Sequence, residues 1–544
     1  METGSTTAED SALLRGRSTG RRLAMGLMSS LLLFSLGLWP LRAAESLEVE
    51  IDGVVLPITV AELGRWVRSG GRTRSELTSW LMLLDAESRQ GLIRLLEAPV
   101  LTQGSLGQQM LRSWAAVPLL DAFGDLLRVE DVQRVSSEQV LAVLEHLLRS
   151  KPSVSVLDVL EALPSEKVRL DLDALVLAAS RWRRQMRRHQ GLTASLARSK
   201  AQLLPKASAG EQLDTTAMRT VVLSAPHRPQ GLRVQIWPGS PESPDQSSWV
   251  LLMPGLGGDP EHFHWLAHAI AAKGWSVAVL DHPGSDAAAV QALLEGRRPF
   301  VGKQALLERI KDLEIALHAQ RSGQLPVEGD QVVLIGHSLG ALTALLAGGV
   351  SPVDGLRERC NLALEDLPLT NLSQLLQCEL AASGVLTAQP LTSSLRAVVG
   401  INSFGSLVWP MFQAGHLEQP LLLMGGTLDL ITPPLSEQLA LLSALGGHPA
   451  SRAVIVEGAS HFSPIRVEGQ SAGGSGNDLF RLSEELVGVQ PLEVQRLLSE
   501  ELILFLQQVE AAEPMGSSRH LRSGSIRWHR LNRRDAARLV RENQ

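Results

Sequence analysis

Six apolar runs in the second half of the chain, "SWVLLMP", "WSVAVLD", "QVVLIG", "LRAVVGIN", "PLLLMGG" and "RAVIVEG", constrain its fold more than any other feature. None alternates apolar with polar residues, as a strand wetted on one face must. Continuous runs of this length suit strands buried on both faces of a largely parallel sheet. Segments of helical periodicity separate them, and two earlier runs, "RTVVLSA" and "GLRVQIWP", fit an antiparallel opening hairpin. The pattern predicts an α/β domain over residues 214–510, with an eight-stranded, mostly parallel sheet. The segment "EVQRLLSEELILFLQQV" supplies its closing helix.

With 544 residues the chain has room for more than this domain. Residues 45–206 place apolar side chains at three- and four-residue intervals, as in "SEQVLAVLEHLLRS", and predict an all-α domain in front of the sheet. The stretch "RWRRQMRRHQG" near its end reads as a solvated helix face, and 207–214 as a polar linker. Residues 1–44 have the form of an export signal. Arg15, Arg17, Arg21 and Arg22 precede the apolar run Leu23–Leu41, with Ala43-Ala44 as a small-residue cleavage site. The same segment, uncut, would serve as an anchor. Either way the body of the protein is expected outside the cytoplasm, periplasmic or secreted. Residues 511–544 carry eight arginines and read as a basic, disordered tail, with weak membrane-surface contact as a minor role. A net charge of −6 argues against a nucleic-acid partner.

The chemistry centres on "LIGHSLGALTALL". Its Gly336-His337-Ser338-Leu339-Gly340 fits G-x-S-x-G, the pattern of a serine on a sharp strand-to-helix turn. The pattern recurs at Gly16–Gly20 and at Gly469–Gly473. Ser18 falls within the export signal and Ser471 within a Gly/Ser-rich loop. Ser338 alone follows an apolar strand and opens an apolar helix, where the amino terminus favours a developing anion.

A serine hydroxyl needs an oriented base to become a nucleophile. In such a sheet the order is serine, acid, histidine, each on a loop after a strand. "GGTLDLITPP" after the seventh strand offers Asp429, and "VEGASHFSP" after the eighth offers His461. Backbone N–H groups of Leu339 and of Leu256, in the glycine-rich "MPGLGGDPEHF" after the third strand, are the expected oxyanion donors. Residues 350–394 form a lid-like insertion between the fifth and sixth strands. It holds the only cysteines, Cys360 and Cys378, whose closeness in an oxidising compartment suits a disulfide; free thiols are the alternative.

The pieces "PGLGG", "DHPGSD", "GHSLG", "GGTLDLITPP" and "GASHFS", in this order over about 300 residues, resemble the α/β-hydrolase superfamily. The closest resemblance is to its branch near platelet-activating-factor acetylhydrolases and dienelactone hydrolases. The first half resembles a poorly characterised helical domain fused to such hydrolases in bacteria. Two departures bear on the substrate. Dienelactone hydrolases use a cysteine nucleophile where this chain has Ser338. The acetylhydrolases take their acid after the sixth strand, where this chain reads "GINSFGS", with Asn402 and no carboxylate.

The expectation is an exported serine ester hydrolase, carboxylesterase- or lipase-like, acting on small-molecule or lipid esters. It needs no metal and no organic cofactor. An acyltransferase with the same triad, or a binding protein on a retired hydrolase fold, remain the alternatives.

Overall fold

The computed structural model describes residues 46–543 apart from several segments, the longest of which are 103–110, 112–119, 206–216 and 466–487. The export segment, the linker and both further G-x-S-x-G matches lie outside the described residues.

All eight expected strands are present: β1 (Arg219–Ala225), β2 (Arg228–Trp237), β3 (Ser248–Met253), β4 (Val277–Leu280), β5 (Gln331–His337), β6 (Leu395–Ile401), β7 (Leu421–Gly426) and β8 (Arg452–Val456). β1 and β2 form the antiparallel hairpin, and β3 to β8 run parallel to their neighbours in the spatial order β4-β3-β5-β6-β7-β8. Successive residues feed opposite faces. Trp249, Leu251 and Met253 of β3 join one core, while Val250 and Leu252 join the other. Fully burying each such side chain contributes roughly 1.5–3 kcal/mol, which explains why these runs are apolar at every position. The strand order reverses between β3 and β5, where such sheets open a crevice at the strands' carboxyl ends.

The sheet is larger than expected because the basic tail is folded. Strands β9 (Arg519–Ser523) and β10 (Ile526–Asn532) extend it antiparallel beyond β8, and Gln202–Leu203 pairs with β9 at the edge, giving eleven strands among the described residues. Arg533–Asn543 then forms a helix whose Ala536, Leu539 and Val540 enter the core. The disordered reading of 511–544 is therefore corrected. Its arginines masked a strand buried on both sides, with Ile526 and Trp528 in one core and Leu531 in the other, and several of them are held: Arg530 by Glu501, Arg533 by the Ser443 carbonyl.

The all-α reading of the front domain is also corrected. Ser46–Ile51, Val54–Thr59, Leu127–Val129, Gln133–Arg134 and Lys167–Asp171 form a five-stranded mixed sheet beside the helices. The first two pair antiparallel, from Ser46 against Thr59 to Ile51 against Val54; in the sequence, Asp52-Gly53 between them is a strong turn dipeptide. The domain has its own core around Trp66, Val140, Leu144 and Leu160.

The long helix α1 (Leu172–Ala197) leaves this domain and ends inside the other, where Leu192 and Leu196 are buried in the hydrophobic core beneath the large sheet. Its basic stretch is more than a solvated face. Arg181 donates to the Glu365 carbonyl, Gln185 to the Asp366 carbonyl, and His189 Nε2 meets the Thr427 carbonyl at 3.1 Å. The insertion folds as α2 (Leu356–Glu365) and α3 (Ser373–Ala382), joined by a Cys360–Cys378 disulfide. Among the described residues no helix is long and apolar enough to cross a membrane.

Candidate active site

The nucleophile candidate sits where the chain turns most sharply. Ser338 lies between β5 and the helix α4 (Leu339–Ala347), and its φ of 50° is a left-handed value that a non-glycine residue adopts only under constraint. The constraint is visible. Ser338 N–H is tied to the Ile401 carbonyl at 2.9 Å, and the flanking glycines leave no room for side chains. A Cβ on Gly336 would come 2.2 Å from Gly340, and one on Gly340 would come 2.1 Å from the Met253 carbonyl oxygen. The motif glycines are thus demanded by contact between strand, helix and the end of β3.

Asp429 and His461 emerge on the loops after β7 and β8. His461 Nδ1 lies 3.0 Å from Asp429 Oδ2, and Asp429 is fully buried. Its other hydrogen bonds all come from donors. Oδ1 accepts the N–H groups of Ile431 and Thr432, both at 2.8 Å, and Oδ2 accepts Thr432 Oγ1 and Asn402 Nδ2, both at 2.6 Å. Burial pushes the Asp429 carboxyl up, but His461 and the Thr432 hydrogen bonds outweigh it and hold the group down at about 2. Asp429 is therefore a carboxylate at neutral pH, able to orient an imidazole and balance its charge.

His337, beside Ser338, is pushed down to about 3 by burial and by His461, so its ring is neutral. Its Nε2 meets the His461 carbonyl at 3.2 Å and, since a carbonyl only accepts, carries the proton there. His461 is thereby fixed by its ring through Asp429 and by its backbone through His337. The Ser338 hydroxyl makes no hydrogen bond among the described residues, as is common before a ligand is bound.

The remaining expected groups are backbone amides. In the turn after β3, Gly257 N–H donates to the Ser285 carbonyl and Gly258 N–H to the Gly255 carbonyl. Leu256 N–H has no such acceptor, and Leu339 N–H, at the first position of α4, has no intrahelical one. A Cβ on Gly255 would stand 2.9 Å from Ser338 Cβ, so this turn lies against the nucleophile. Among the described residues no group of three or more His, Cys, Asp or Glu side chains is arranged to hold a metal.

Residues 43–171 match the family described as an alpha/beta hydrolase of unknown function, DUF1400. The elbow and the sheet order are those of the α/β-hydrolase fold, which this chain adopts. No curated protein matches its sequence. Among solved structures, the chain is similar to a lidless a/b serine hydrolase from Xanthomonas campestris at 18% identity and TM-score 0.27, over 46% of this chain and 88% of that one. It is also similar to Thermogutta terrifontis esterase 2 in its apo form, at 15% identity and TM-score 0.33, over 56% of this chain and 98% of that one.

The residues that sequence reasoning missed are those around the acid. Asn402 occupies the end of β6 with a φ of 47°, a second left-handed residue beside Ser338. Thr432 could have been found, because an Asp accepting the N–H groups two and three residues on is an ordinary Asx turn.

Proposed function

We propose that this protein of α/β-hydrolase fold is an exported serine ester hydrolase. Ser338 Oγ attacks the ester carbonyl carbon while its proton passes to His461 Nε2. The resulting oxyanion is met by the Leu256 and Leu339 amides. Collapse expels the alcohol, which takes the proton back from His461, and leaves an acyl-Ser338. Water then repeats the sequence and releases the acid. Asp429 holds the tautomer that leaves Nε2 free and stabilises the imidazolium. The single observation that carries this reading is the buried Asp429–His461 hydrogen bond, with the His461 backbone tied to His337 next to the strained Ser338.

Apolar esters are favoured by the exposed Leu428 and Leu430, which flank the buried Asp429, and by the exposed Leu362 of the insertion. Export is supported by the signal-like first 44 residues and by the Cys360–Cys378 bridge, which suits an oxidising compartment. The test is hydrolysis of p-nitrophenyl esters of graded chain length by the mature protein and by Ser338→Ala. Turnover that rises with acyl length and vanishes in the variant supports the reading. Equal inertness of both proteins at every length contradicts it.

A further inference from the structure

One buried cation is aimed at the turn that carries the Leu256 amide. Arg309, on the helix α5′ formed by Gly302–Arg321 between β4 and β5, is 0% exposed, and every nitrogen of its guanidinium is used. Nη1 donates to the Pro254 carbonyl at 2.6 Å, Nη2 to the Gly255 carbonyl at 2.8 Å, and Nε to Ser285 Oγ at 2.8 Å. No carboxylate lies within ion-pair distance of it among the described residues. The neighbouring Glu308 is bonded by Arg228 and Gln304, and Asp312, one helical turn on, by Arg228, His227 and His282. A buried guanidinium whose hydrogen bonds go to two backbone carbonyls and a hydroxyl, with no carboxylate in contact, is a costly way to hold a loop, so what it holds is informative.

A trans peptide is planar, with its C=O and N–H pointing in opposite directions. The Gly255 carbonyl points at Arg309, so the N–H of the same peptide unit, which belongs to Leu256, points away from Arg309. Gly255 itself packs against Ser338. Ser285 secures the turn from the far end, because its carbonyl takes the Gly257 N–H at 2.8 Å. A cation on the carbonyl also polarises the peptide and strengthens its N–H as a donor.

We infer that Arg309 is a positioning residue for transition-state stabilisation: it fixes and polarises the Gly255–Leu256 peptide so that the Leu256 N–H meets the oxyanion. The inference rests on the reading of Ser338 as the ester-attacking nucleophile. It predicts a defect confined to the tetrahedral state. Arg309→Met should lower kcat about 100-fold, the usual effect of losing one oxyanion donor, with KM changed less than about threefold. Binding of an alkyl trifluoromethyl ketone, which forms a tetrahedral oxyanion adduct on the serine, should weaken in proportion to kcat. Arg309→Lys, which keeps the charge but not the fork, should recover only part of both.

Ser285→Ala leaves both carbonyl contacts in place and guards against a misfolded Arg309→Met; it should show a smaller loss in the same proportion. An active wild type whose Arg309→Lys and Ser285→Ala variants keep kcat and ketone affinity overturns the inference alone. So does a loss of kcat that ketone affinity does not follow. A wild type that neither hydrolyses esters nor binds the ketone overturns the hydrolase reading and this inference with it.

Discussion

Asn402 donates to Asp429 Oδ2 at 2.6 Å, so the residue at the end of β6 supports the acid at the end of β7. A hydrogen bond to a buried charged group is worth about 1.5–3 kcal/mol. Asn402→Ala should therefore lower kcat/KM roughly 10- to 100-fold if that support is felt in the transition state. Asn402→Asp should do more harm at neutral pH, since it sets a second carboxylate against the first. Steady-state kinetics on one p-nitrophenyl ester checks both, and an Asn402→Asp enzyme as active as wild type would contradict the arrangement.

Acid should destabilise the fold through its buried carboxylates. Burial raises Asp312, but hydrogen bonds from His282 and Arg228 outweigh it and leave the group well below the usual range; Asp429 is held at about 2. A depressed carboxylate contributes stability that is complete above its unfolded pKa, about 3.9, and is lost as pH falls through its folded value. The midpoint of urea unfolding should thus drop steeply between about pH 4 and pH 2. Asp312→Asn should cost about 3 kcal/mol at pH 7, by removing the carboxylate that Arg228 shares with His282 and leaving Arg228 only its pair with Glu308, and should flatten that acid dependence.

Deleting residues 511–543 should abolish soluble expression. The deletion uncovers the edge of β8 and removes Trp528, Leu531, Leu539 and Val540 from the cores they complete. A truncated protein with wild-type melting behaviour would show that the tail is an accessory after all.

The Cys360–Cys378 bridge closes a loop of sequence separation 18. In the chain-entropy account such a bridge is worth about 3 kcal/mol. Denaturation with and without reductant should differ by about that amount, and Cys360→Ser/Cys378→Ser should behave like the reduced protein. Because Asn371, Ser373 and Gln377 of the insertion all bond the buried Glu437, part of the effect should appear as protease sensitivity of residues 356–382.

The parallel core was legible in the sequence because strands buried on both faces must be apolar throughout, and the meeting of Asp429 with His461 because both follow such strands in a set order. What escaped was encoded in contacts rather than in periodicity. β10 reads "IRWHRLN", and its basic residues hide that Ile526 and Trp528 feed one core and Leu531 the other. The hairpin Ser46–Thr59 was visible in Asp52-Gly53 but was outweighed by the helical pattern after it. Arg309 and Asp312 lie on the same stripe of their helix as Leu306 and Leu313 and are as buried as those neighbours. Charged residues on an apolar stripe were the available sign that something needed holding there.

The account stands or falls on the reactivity of one serine. Treatment with an alkyl fluorophosphonate, followed by intact-mass and peptide mass spectrometry, should find one adduct, on Ser338. The adduct should be absent in Ser338→Ala and should form about 10⁴-fold more slowly in Asp429→Asn, where the imidazole is left in the wrong tautomer. A wild-type protein that takes up no label, or one labelled at Ser18 or Ser471 instead, would contradict it.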